Sequence, residues 1–169
     1  MVNQQQTIVD FGEQWTMLTE NTGHYASVTM LRDILEPLVG VDFLKGKSVC
    51  EIGGGTGRIV NMFLNCGVEH ITVVEPSEAF TVLQTNVAHA GDKVRCLQIL
   101  GDELDAPDAF DLVCSIGVIH HIPNPAPTLQ KMYESVKPGG AAFIWVYGRE
   151  GNELYLLFAE NIRRITKRM

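Results

Sequence analysis

Four glycines fall within five residues of the stretch VCEIGGGTGRIV, which spans residues 49–60. An apolar, strand-like run precedes them and a helix-like run follows, so the glycines occupy a corner between a strand and a helix. Glycines let ligand atoms approach the backbone at such a corner, and the first N–H groups of the helix face the ligand. The stretch therefore predicts a binding site for a small molecule.

Charged residues near this corner narrow the class of ligand. A phosphate-binding P-loop needs a lysine and then a hydroxyl residue after its last glycine, and Arg58 does not supply them. The glycines follow a GxGxG pattern and miss the GxGxxG spacing of dinucleotide-binding proteins, although Glu75 lies about twenty residues on, where an acid would bind ribose. Glu51 lies two residues before the first glycine, where a carboxylate would repel a pyrophosphate. A ligand with a positive group fits better than a dinucleotide.

The corner belongs to a regular alternation of strands and helices. Short apolar runs alternate with helix-length segments between residues 47 and 147, which is the pattern of parallel strands joined by crossover helices. Near-continuous hydrophobicity is typical of strands that are covered on both faces. We therefore predict an α/β fold, a Rossmann-like doubly wound sheet of five mainly parallel strands with helices on both faces. The predicted strands are SVCEI, ITVVE, VRCLQI, FDLVCSI and AAFIWVY.

The segments between these strands carry signals for helix ends. The helix after the glycines should stop at Gly67, where a left-handed cap suits glycine, and the next should begin at Ser77 and end before Gly91. A third helix should span residues 126–136 and end at KPGG, because proline cannot continue a helix and the glycines permit a sharp return. The stretch GDELDAPDA is too short for a helix, so a loop or a single turn is expected.

Composition and charge exclude several classes of protein. A net charge of −7 and a pI near 5.1 argue against a general affinity for nucleic acid, which needs clustered Lys and Arg. The N-terminus lacks a basic region followed by an apolar run, and no apolar stretch approaches the ~20 residues that span a bilayer, so we expect a cytoplasmic protein without a membrane span. We interpret the four cysteines, Cys50, Cys66, Cys96 and Cys114, as reduced core residues rather than disulfides or metal ligands.

Five motifs in order give the sequence its resemblance to a known family. VCEIGGGTGRIV and VVEPSEAF resemble the first two motifs of class I S-adenosylmethionine-dependent methyltransferases, and three further stretches continue the match over residues 47–152. The closest resemblance is to the ubiquinone- and menaquinone-methyltransferase-like branch, whose substrates are mostly small molecules. The further stretches are ILGDELD, FDLVCSIGVIHHIPNP and VKPGGAAFIWVYGREGN.

The resemblance implies that the chain binds S-adenosyl-L-methionine, transfers its methyl group to an unidentified small-molecule acceptor and releases S-adenosyl-L-homocysteine. It implies that Glu51 lies near the ammonium of the cofactor, that Glu75 accepts both ribose hydroxyls and that Asp102 accepts the adenine amino group. The alternatives are that Glu75 only ends a strand, that Asp102 only serves a turn, and that Glu51 pairs with Arg58 or Lys47. The expected cofactor-binding residues are Glu51, Gly53, Gly54, Gly55, Gly57, Glu75, Pro76, Asp102, Glu103, Ser115, Ile116 and Gly117.

The resemblance also assigns the end of the fourth strand. Ile116 would flank the cofactor, and Ser115 and Gly117 would face its reacting end. His120 and His121 follow directly, and one of them could act as the general base if the acceptor is a phenol or another hydroxyl. The alternative is that one histidine bonds to a loop and the other is exposed. No further His, Cys or acidic cluster accompanies them, so no metal site is predicted.

Aromatic residues could line a pocket for the methyl acceptor. The candidates are Trp15, His24 and Tyr25 in the N-terminal segment and Tyr147 at the end of the fifth strand, with core or capping roles as the alternative.

The chain is predicted to form one domain with three parts. Residues 1–46 would form a helical segment over the acceptor side, residues 47–148 the cofactor-binding core and residues 149–169 a C-terminal helix. The residues that share one face of that helix are Leu154, Leu157, Phe158, Ile162 and Ile165.

The sequence departs from the family pattern at its C-terminal end. Enzymes of this kind usually carry two more strands, an antiparallel hairpin at the sheet edge, and only five strands are predicted here. A truncated chain and a natural short form both remain open; a short form could cover its sheet edge, or the C-terminal helix, by forming a homodimer. Three functions are carried forward: a methyltransferase, a cofactor-binding module without catalysis and, less favoured, a nicotinamide-dependent oxidoreductase.

Overall fold

A computed structural model describes residues 4–17 and 19–148 of the 169-residue chain. The N-terminal part contains α1 (Gln4–Met17) and α2 (Val28–Leu35), together with 3-10 turns at His24–Ala26 and Val41–Leu44. The remaining elements are β1 (Ser48–Ile52), α3 (Arg58–Asn65), β2 (His70–Val74), α4 (Ala79–Val87), a 3-10 segment (Ala88–Lys93), β3 (Val94–Leu97), a 3-10 turn (Gly101–Glu103), β4 (Phe110–Ile116), a 3-10 turn (Ile119–His121), α5 (Ala126–Ser135) and β5 (Val136–Trp145).

The five strands form one sheet in the order β3-β2-β1-β4-β5, and every neighbouring pair is parallel. The central strand β1 has Val49 opposite Ile71 of β2 on one side and opposite Leu112 of β4 on the other. The strands β2 and β3 are added on one side of β1, and β4 and β5 are added on the other side. A crevice forms at the carboxyl ends of the strands where the strand order switches sides in this way. The prediction of a Rossmann-like parallel sheet is confirmed.

Two apolar clusters cover the two faces of the sheet. Val49 of β1 packs in one cluster with Phe63 of α3, and Cys50, the next residue of the strand, belongs to the other cluster with Met132 of α5. Successive residues of a strand point to opposite faces, so both faces of β1 are buried. Each large side chain buried in this way stabilises the fold by roughly 1.5–3 kcal/mol.

The helix boundaries follow the sequence signals closely, with one shift. The helix α3 ends before Gly67, whose φ of 78° is the left-handed conformation expected of the cap. The helix α4 begins at Ala79, two residues after Ser77, whose Oγ accepts the Ala79 N–H at 3.2 Å. It ends at Val87, and a 3-10 segment, rather than more α-helix, carries the chain through the region of Gly91.

The fifth strand begins earlier than the sequence predicted, because the KPGG stretch lies inside it. Val136 is opposite Phe110 and Ala141 is opposite Leu112, so residues 137–140 bulge from the ladder opposite Asp111. The Asp111 carboxylate accepts the Lys137 ammonium at 2.9 Å, and this bond holds the bulge against β4. The two glycines therefore shape a bulge and not a turn between helix and strand.

Residues 149–169 lie outside the described residues, and so do the predicted C-terminal helix and any dimer contact through it. Within residues 4–17 and 19–148, no helix has the length and apolar composition needed to cross a bilayer. Cys50 and Cys114 are buried thiols, and Cys66 and Cys96 are half-buried thiols.

Candidate functional site

A cavity of ≈ 450 Å³ opens at the carboxyl ends of β1, β2 and β4, where the glycine loop, residues 53–57, leaves β1. The helix α1 supplies another wall. Its lining residues recur at spacings of three and four along the helix, which places them on one face. They are Gln4, Thr7, Ile8, Phe11, Gln14 and Trp15. Of these, the sequence analysis singled out Trp15 alone, because the face mixes polar and apolar side chains and gives no apolar stripe.

The glycines of the loop meet different requirements. Gly55 has a left-handed φ of 53° and lines the cavity, and a Cβ there would lie 3.9 Å from Nε1 of Trp15. A Cβ at Gly54 would lie 2.1 Å from Cγ2 of Val73, so this glycine lets the loop pack against β2. Gly57 is outside the cavity lining, and a Cβ there would come within 2.9 Å of two side chains of α4. A left-handed backbone at Gly55 and close loop packing at Gly54 and Gly57 therefore favour glycine here.

Glu75 stands at the end of β2, with 7% of its surface exposed. Its Oε2 accepts the N–H of Gly55 at 2.8 Å, and its Oε1 accepts the N–H of Ser77 at 2.9 Å. The carboxylate thus bridges the glycine loop and the start of the α4 region, and it lines the cavity together with Pro76. Each oxygen keeps a further lone pair, so the carboxylate can hold the loop and still accept bonds from a ligand.

Glu51 lies in the cavity lining but is only 1% exposed, and its Oε2 has no hydrogen-bond partner among the described residues. Burial raises the pKa of this carboxyl to about 8; the Arg58 guanidinium lowers it and the Glu75 carboxylate raises it further. Neither Arg58 nor Lys47 forms an ion pair with it within 4.0 Å in the described structure, and Lys47 lies 3.7 Å from Asp111 instead. The raised pKa favours the neutral acid, so its repulsion of a pyrophosphate is weaker than the sequence suggested.

Arg58 is a cavity residue to which the sequence analysis gave no ligand-binding role. It opens α3 directly after the last glycine, and its Nη1 donates to the backbone oxygen of Tyr25 at 2.6 Å. The guanidinium is therefore anchored to the N-terminal segment beside the glycine loop. Its position directly after the last glycine of the loop is the sequence signal for this role.

Thr56 joins the glycine loop to the N-terminal segment. The Asn21 amide donates to the Thr56 carbonyl at 2.8 Å and accepts the Thr56 hydroxyl at 2.8 Å. The Asn86 amide of α4 donates to the same carbonyl and to the carbonyl of Thr19, both at 2.9 Å. These bonds fasten the chain that follows α1 to the loop. They join residues far apart in sequence, and no local pattern predicts them.

The turn after β3 places two of the predicted residues beside the cavity rather than in its lining. Leu100 and Gly101 line the cavity, whereas Asp102 and Glu103 do not. Glu103 accepts the N–H of Leu100 at 2.7 Å and so caps the turn. Asp102 has a buried Oδ1 without a hydrogen-bond partner in the described part of the chain, and its bond to adenine stays a prediction.

The end of β4 divides the residues predicted there. Ile116 and Gly117 line the cavity, as does Val118, which the sequence analysis did not single out. Ser115 is fully buried, and its hydroxyl donates to the carbonyl of Ile52 at 3.0 Å. Ser115 therefore links β4 to β1 and lies outside the cavity lining, and its place at the reacting end of the cofactor stays a prediction.

A series of neighbouring rings extends from α1 to Tyr147, two residues after the end of β5. The Phe11 and His121 centroids are 4.6 Å apart, those of His121 and His120 are 4.0 Å apart, and those of His120 and Tyr147 are 5.3 Å apart. His121 and Tyr147 line the cavity, and His120 is exposed outside it, with its pKa lowered by partial burial. Of the two predicted histidines, the structure therefore brings only His121 to the cavity.

The predicted N-terminal aromatic residues also separate. Trp15 lines the cavity, but Tyr25 is 70% exposed and lies outside the lining, with its ring 6.0 Å from that of His24. The 3-10 turn holds Tyr25 by its backbone oxygen, which Arg58 binds, and leaves the ring in solvent. No group of three or more His, Cys, Asp or Glu residues that could hold a metal ion occurs in the described ranges.

Sequence comparisons match the chain to proteins of known class. The sequence profile of a family described as a methyltransferase domain matches residues 13–165. A ubiquinone biosynthesis O-methyltransferase from Pseudomonas entomophila is 31% identical over 117 residues, which cover 68% of this chain and 50% of that protein. Its namesake from Pseudomonas fluorescens strain Pf0-1 is 30% identical over 119 residues, 69% of this chain and 50% of that protein. The chain spans about half the length of these relatives.

Structural comparisons support the fold alone, since each identity is below 25%. A Methanococcus maripaludis protein described as a candidate S-adenosyl-L-methionine-dependent methyltransferase superposes with a TM-score of 0.67, at 19% identity over 90% of this chain and 71% of that chain. An S-adenosylmethionine-dependent methyltransferase from Mesorhizobium loti gives 0.54, at 20% identity over 59% and 46%. The cyclase SpnF gives 0.57, at 16% identity over 69% and 43%.

Proposed function

We infer a function from one premise: this chain belongs to the methyltransferase-domain family. We propose that its cavity binds S-adenosyl-L-methionine and that the protein transfers the methyl group to an oxygen atom of an uncharged acceptor. The observation that carries the proposal is the pair of buried carboxyl groups, Glu51 and Glu75, at the glycine loop between β1 and α3. A nucleoside with an ammonium group and no phosphate suits these two acids, because an ammonium in contact with a carboxyl group lowers its pKa and favours the carboxylate.

The cavity residues fit such a ligand. Glu75 has lone pairs left for the two ribose hydroxyls, and each charge-assisted bond is worth on the order of 1.5–3 kcal/mol. Glu51 and Asp102 each have a buried oxygen without a partner among the described residues. We assign the first to the ammonium and the second to the adenine amino group, with Gly101 flanking the base.

Methyl transfer needs no covalent bond between the protein and the methyl group. When bound, the sulfonium supplies a methyl group on a leaving group that is already activated. The chain holds the acceptor in line and excludes water, and positioning of this kind can contribute roughly 7–11 kcal/mol. His121, which lines the cavity, takes the proton from the acceptor hydroxyl; a general base adds about 10²–10⁴-fold.

The acceptor side of the cavity favours an uncharged molecule with a planar ring. The described lining residues from α1 and from the chain after β4 include no Asp, Glu, Lys or Arg. Phe11, His121 and Tyr147 offer ring surfaces there. The relatives named as O-methyltransferases support oxygen as the methylated atom.

A cofactor-binding module without methyl transfer is the second candidate. The cyclase SpnF, a neighbour in fold, bears a name that denotes a different reaction, so the fold alone does not specify methyl transfer. Conversion of S-adenosyl-L-methionine to S-adenosyl-L-homocysteine in the presence of a panel of phenols separates the candidates. Acceptor-dependent conversion supports the methyltransferase, and binding without conversion by any acceptor supports the module.

The binding half of the proposal is tested by calorimetric titration with S-adenosyl-L-homocysteine and with NADH. We expect the first to bind saturably and the second not to bind. Glu75→Gln should weaken binding by about tenfold or more, since each 1.4 kcal/mol is a factor of ten. The matched control is Glu78→Gln, an exposed acid three residues further on that does not line the cavity. NADH binding without homocysteine-product binding would overturn the proposal in favour of the oxidoreductase.

A further inference from the structure

We propose that the cavity takes up the ammonium group of its ligand in exchange for a proton: Glu51 is protonated before the ligand binds and releases its proton to solvent when the ammonium arrives. This inference rests on the proposed function, because it takes the ligand to be S-adenosyl-L-methionine or its homocysteine product. It adds a linkage between ligand binding and pH, by which the site selects for the amino-acid end of the ligand.

The geometry of Glu51 is the first observation. The side chain is 1% exposed, it borders the cavity, and its Oε2 lacks a hydrogen-bond partner among the described residues. A buried carboxylate without a donor or a counter-ion on one oxygen is unfavourable, and such a group stays neutral instead. A ligand ammonium in contact with that oxygen would remove the reason for neutrality.

The strands around Glu51 supply no positive charge. Cys114 is opposite it on β4, Cys50 precedes it on β1, and both thiols have pKa values raised by burial and by the Glu51 charge. Glu75, at the end of β2, is a second acid whose charge raises the pKa of Glu51 further. The two thiols thus offer Glu51 no positive charge, and Glu75 disfavours a negative charge on it.

Among the described lining residues, Arg58 is the one Arg or Lys, and its charge does not offset the effect of burial on the pKa of Glu51. Arg58 of α3 lowers the pKa of Glu51, but its Nη1 is committed to the carbonyl of Tyr25, and it forms no ion pair with Glu51 within 4.0 Å. The described lining residues of α1 are uncharged, and the titratable side chains of the described lining after β4 are His121 and Tyr147. Burial outweighs Arg58, so the pKa of Glu51 stays near 8.

The proton balance follows from these positions. The ligand carries its ammonium in water and in the site, and Glu51 changes from carboxylic acid to carboxylate, so one proton passes to solvent. An opposite charge in contact with a carboxyl lowers its pKa. Ligand binding is therefore favoured by rising pH below about pH 8, since linkage strengthens the affinity about tenfold per pH unit there. Above that pH the acid is already ionised, and the dependence flattens.

Calorimetry in two buffers of different ionisation enthalpy, phosphate and Tris, counts the protons. At pH 7 we expect S-adenosyl-L-homocysteine to release about one proton per molecule bound. The matched ligand is 5′-methylthioadenosine, which has the same nucleoside and a thioether but no amino acid, and it should release none. Equal release with both ligands would overturn the proposal, because the proton would then come from elsewhere in the cavity.

The variant Glu51→Gln keeps the shape and the neutrality of the protonated acid, so it should fold. It should bind S-adenosyl-L-homocysteine without proton release and with an affinity that is flat between pH 6 and pH 8, while Glu78→Gln should behave as the wild type. Wild-type binding without proton release would overturn this inference and leave the proposed function standing. Absence of any binding to the wild type would overturn the proposed function, and this inference with it.

Discussion

At the scale of single residues, Glu51 and Glu75 show how two carboxyl groups in one cavity acquire different tasks. Glu75 accepts two backbone N–H bonds and fastens the glycine loop to the chain before α4. Glu51 has a buried oxygen with no bond in the described structure. The sequence predicted both acids and their places at strand ends. It could not predict the protonation of Glu51, because that depends on burial by residues from other strands and helices.

His121 is the residue on which the proposed chemistry can be tested. His121→Ala should lower kcat with a hydroxyl acceptor by about 10²–10⁴-fold, because the group that takes the acceptor proton is lost. The affinity for S-adenosyl-L-homocysteine should change little. His120→Ala is the comparison, since this neighbour is exposed outside the cavity lining, and it should retain most of kcat. Equal losses in the two variants would contradict the role given to His121.

At the scale of elements, α1 lines one side of the cavity, and the glycine loop lines the side at the end of β1. Gly12 is buried where α1 meets the chain before α4, and a Cβ there would lie 3.3 Å from both the Glu78 nitrogen and the Ser77 Cβ. A side chain at this position would therefore require α1 or the chain facing it to shift. Asn21 and Asn86 fasten the chain that follows α1 to Thr56, so hydrogen bonds join this part of the chain to the glycine loop.

Gly12→Leu tests the contribution of this wall. The larger side chain should push α1 away from the start of α4, and overpacking of about 1–3 kcal/mol would lower the affinity for S-adenosyl-L-homocysteine by roughly 5- to 150-fold if it all falls on the bound state. Glu13→Leu places the same side chain on the exposed neighbouring position and should leave the affinity unchanged. Calorimetric titration of both variants measures the effect. Unchanged affinity in Gly12→Leu would contradict the claim that the position of α1 shapes the ligand cavity.

Asp111 holds β1 and β5 to β4 at the opposite end of the sheet. Its carboxylate accepts the Ser48 N–H and the Lys137 ammonium, both at 2.9 Å, and these bonds lower its pKa. A lowered pKa in the folded state means that the stabilisation is present above the unfolded pKa of about 3.9 and is lost as the pH falls below it.

Asp111→Asn should therefore lower the free energy of unfolding by about 1 kcal/mol at pH 7, since the side chain is partly solvated, and the difference from wild type should shrink towards pH 3. Urea unfolding at both pH values measures it. Glu134→Gln is the control, because its ion pair with Lys131 on α5 is exposed and should contribute nothing measurable. A difference that grew as the pH fell would contradict the role of Asp111.

The elements that the sequence predicted correctly are those with strong local signals. Apolar runs gave the strands, and Gly67 marked the end of α3. The bulge at residues 137–140 was missed because it depends on a bond to Asp111 of the neighbouring strand. The bond from the Ser115 hydroxyl to the Ile52 carbonyl was not predicted, and neither was the exposure of Tyr25, whose backbone oxygen accepts a bond from Arg58. Long-range contacts decided each of these points.

At the scale of the whole molecule, the strand order brings the proposed ligand contacts together at the carboxyl ends of the strands. The chain builds outward from β1 to β3, then returns to add β4 and β5 on the other side, and the cavity opens where these directions diverge. Asp111 and the bulge of β5 lie at the amino-terminal ends of the strands and stabilise the sheet there. The carboxyl ends therefore serve ligand contact, and the amino-terminal ends serve stability.

The most direct measurement of the central claim is a crystal structure of the protein with S-adenosyl-L-homocysteine. The account predicts density in the cavity beside residues 53–55, with both ribose hydroxyls within hydrogen-bond distance of Glu75 and the amino group against Oε2 of Glu51. Density that places the ribose away from Glu75, or a cavity without ligand at saturating concentration, would contradict it.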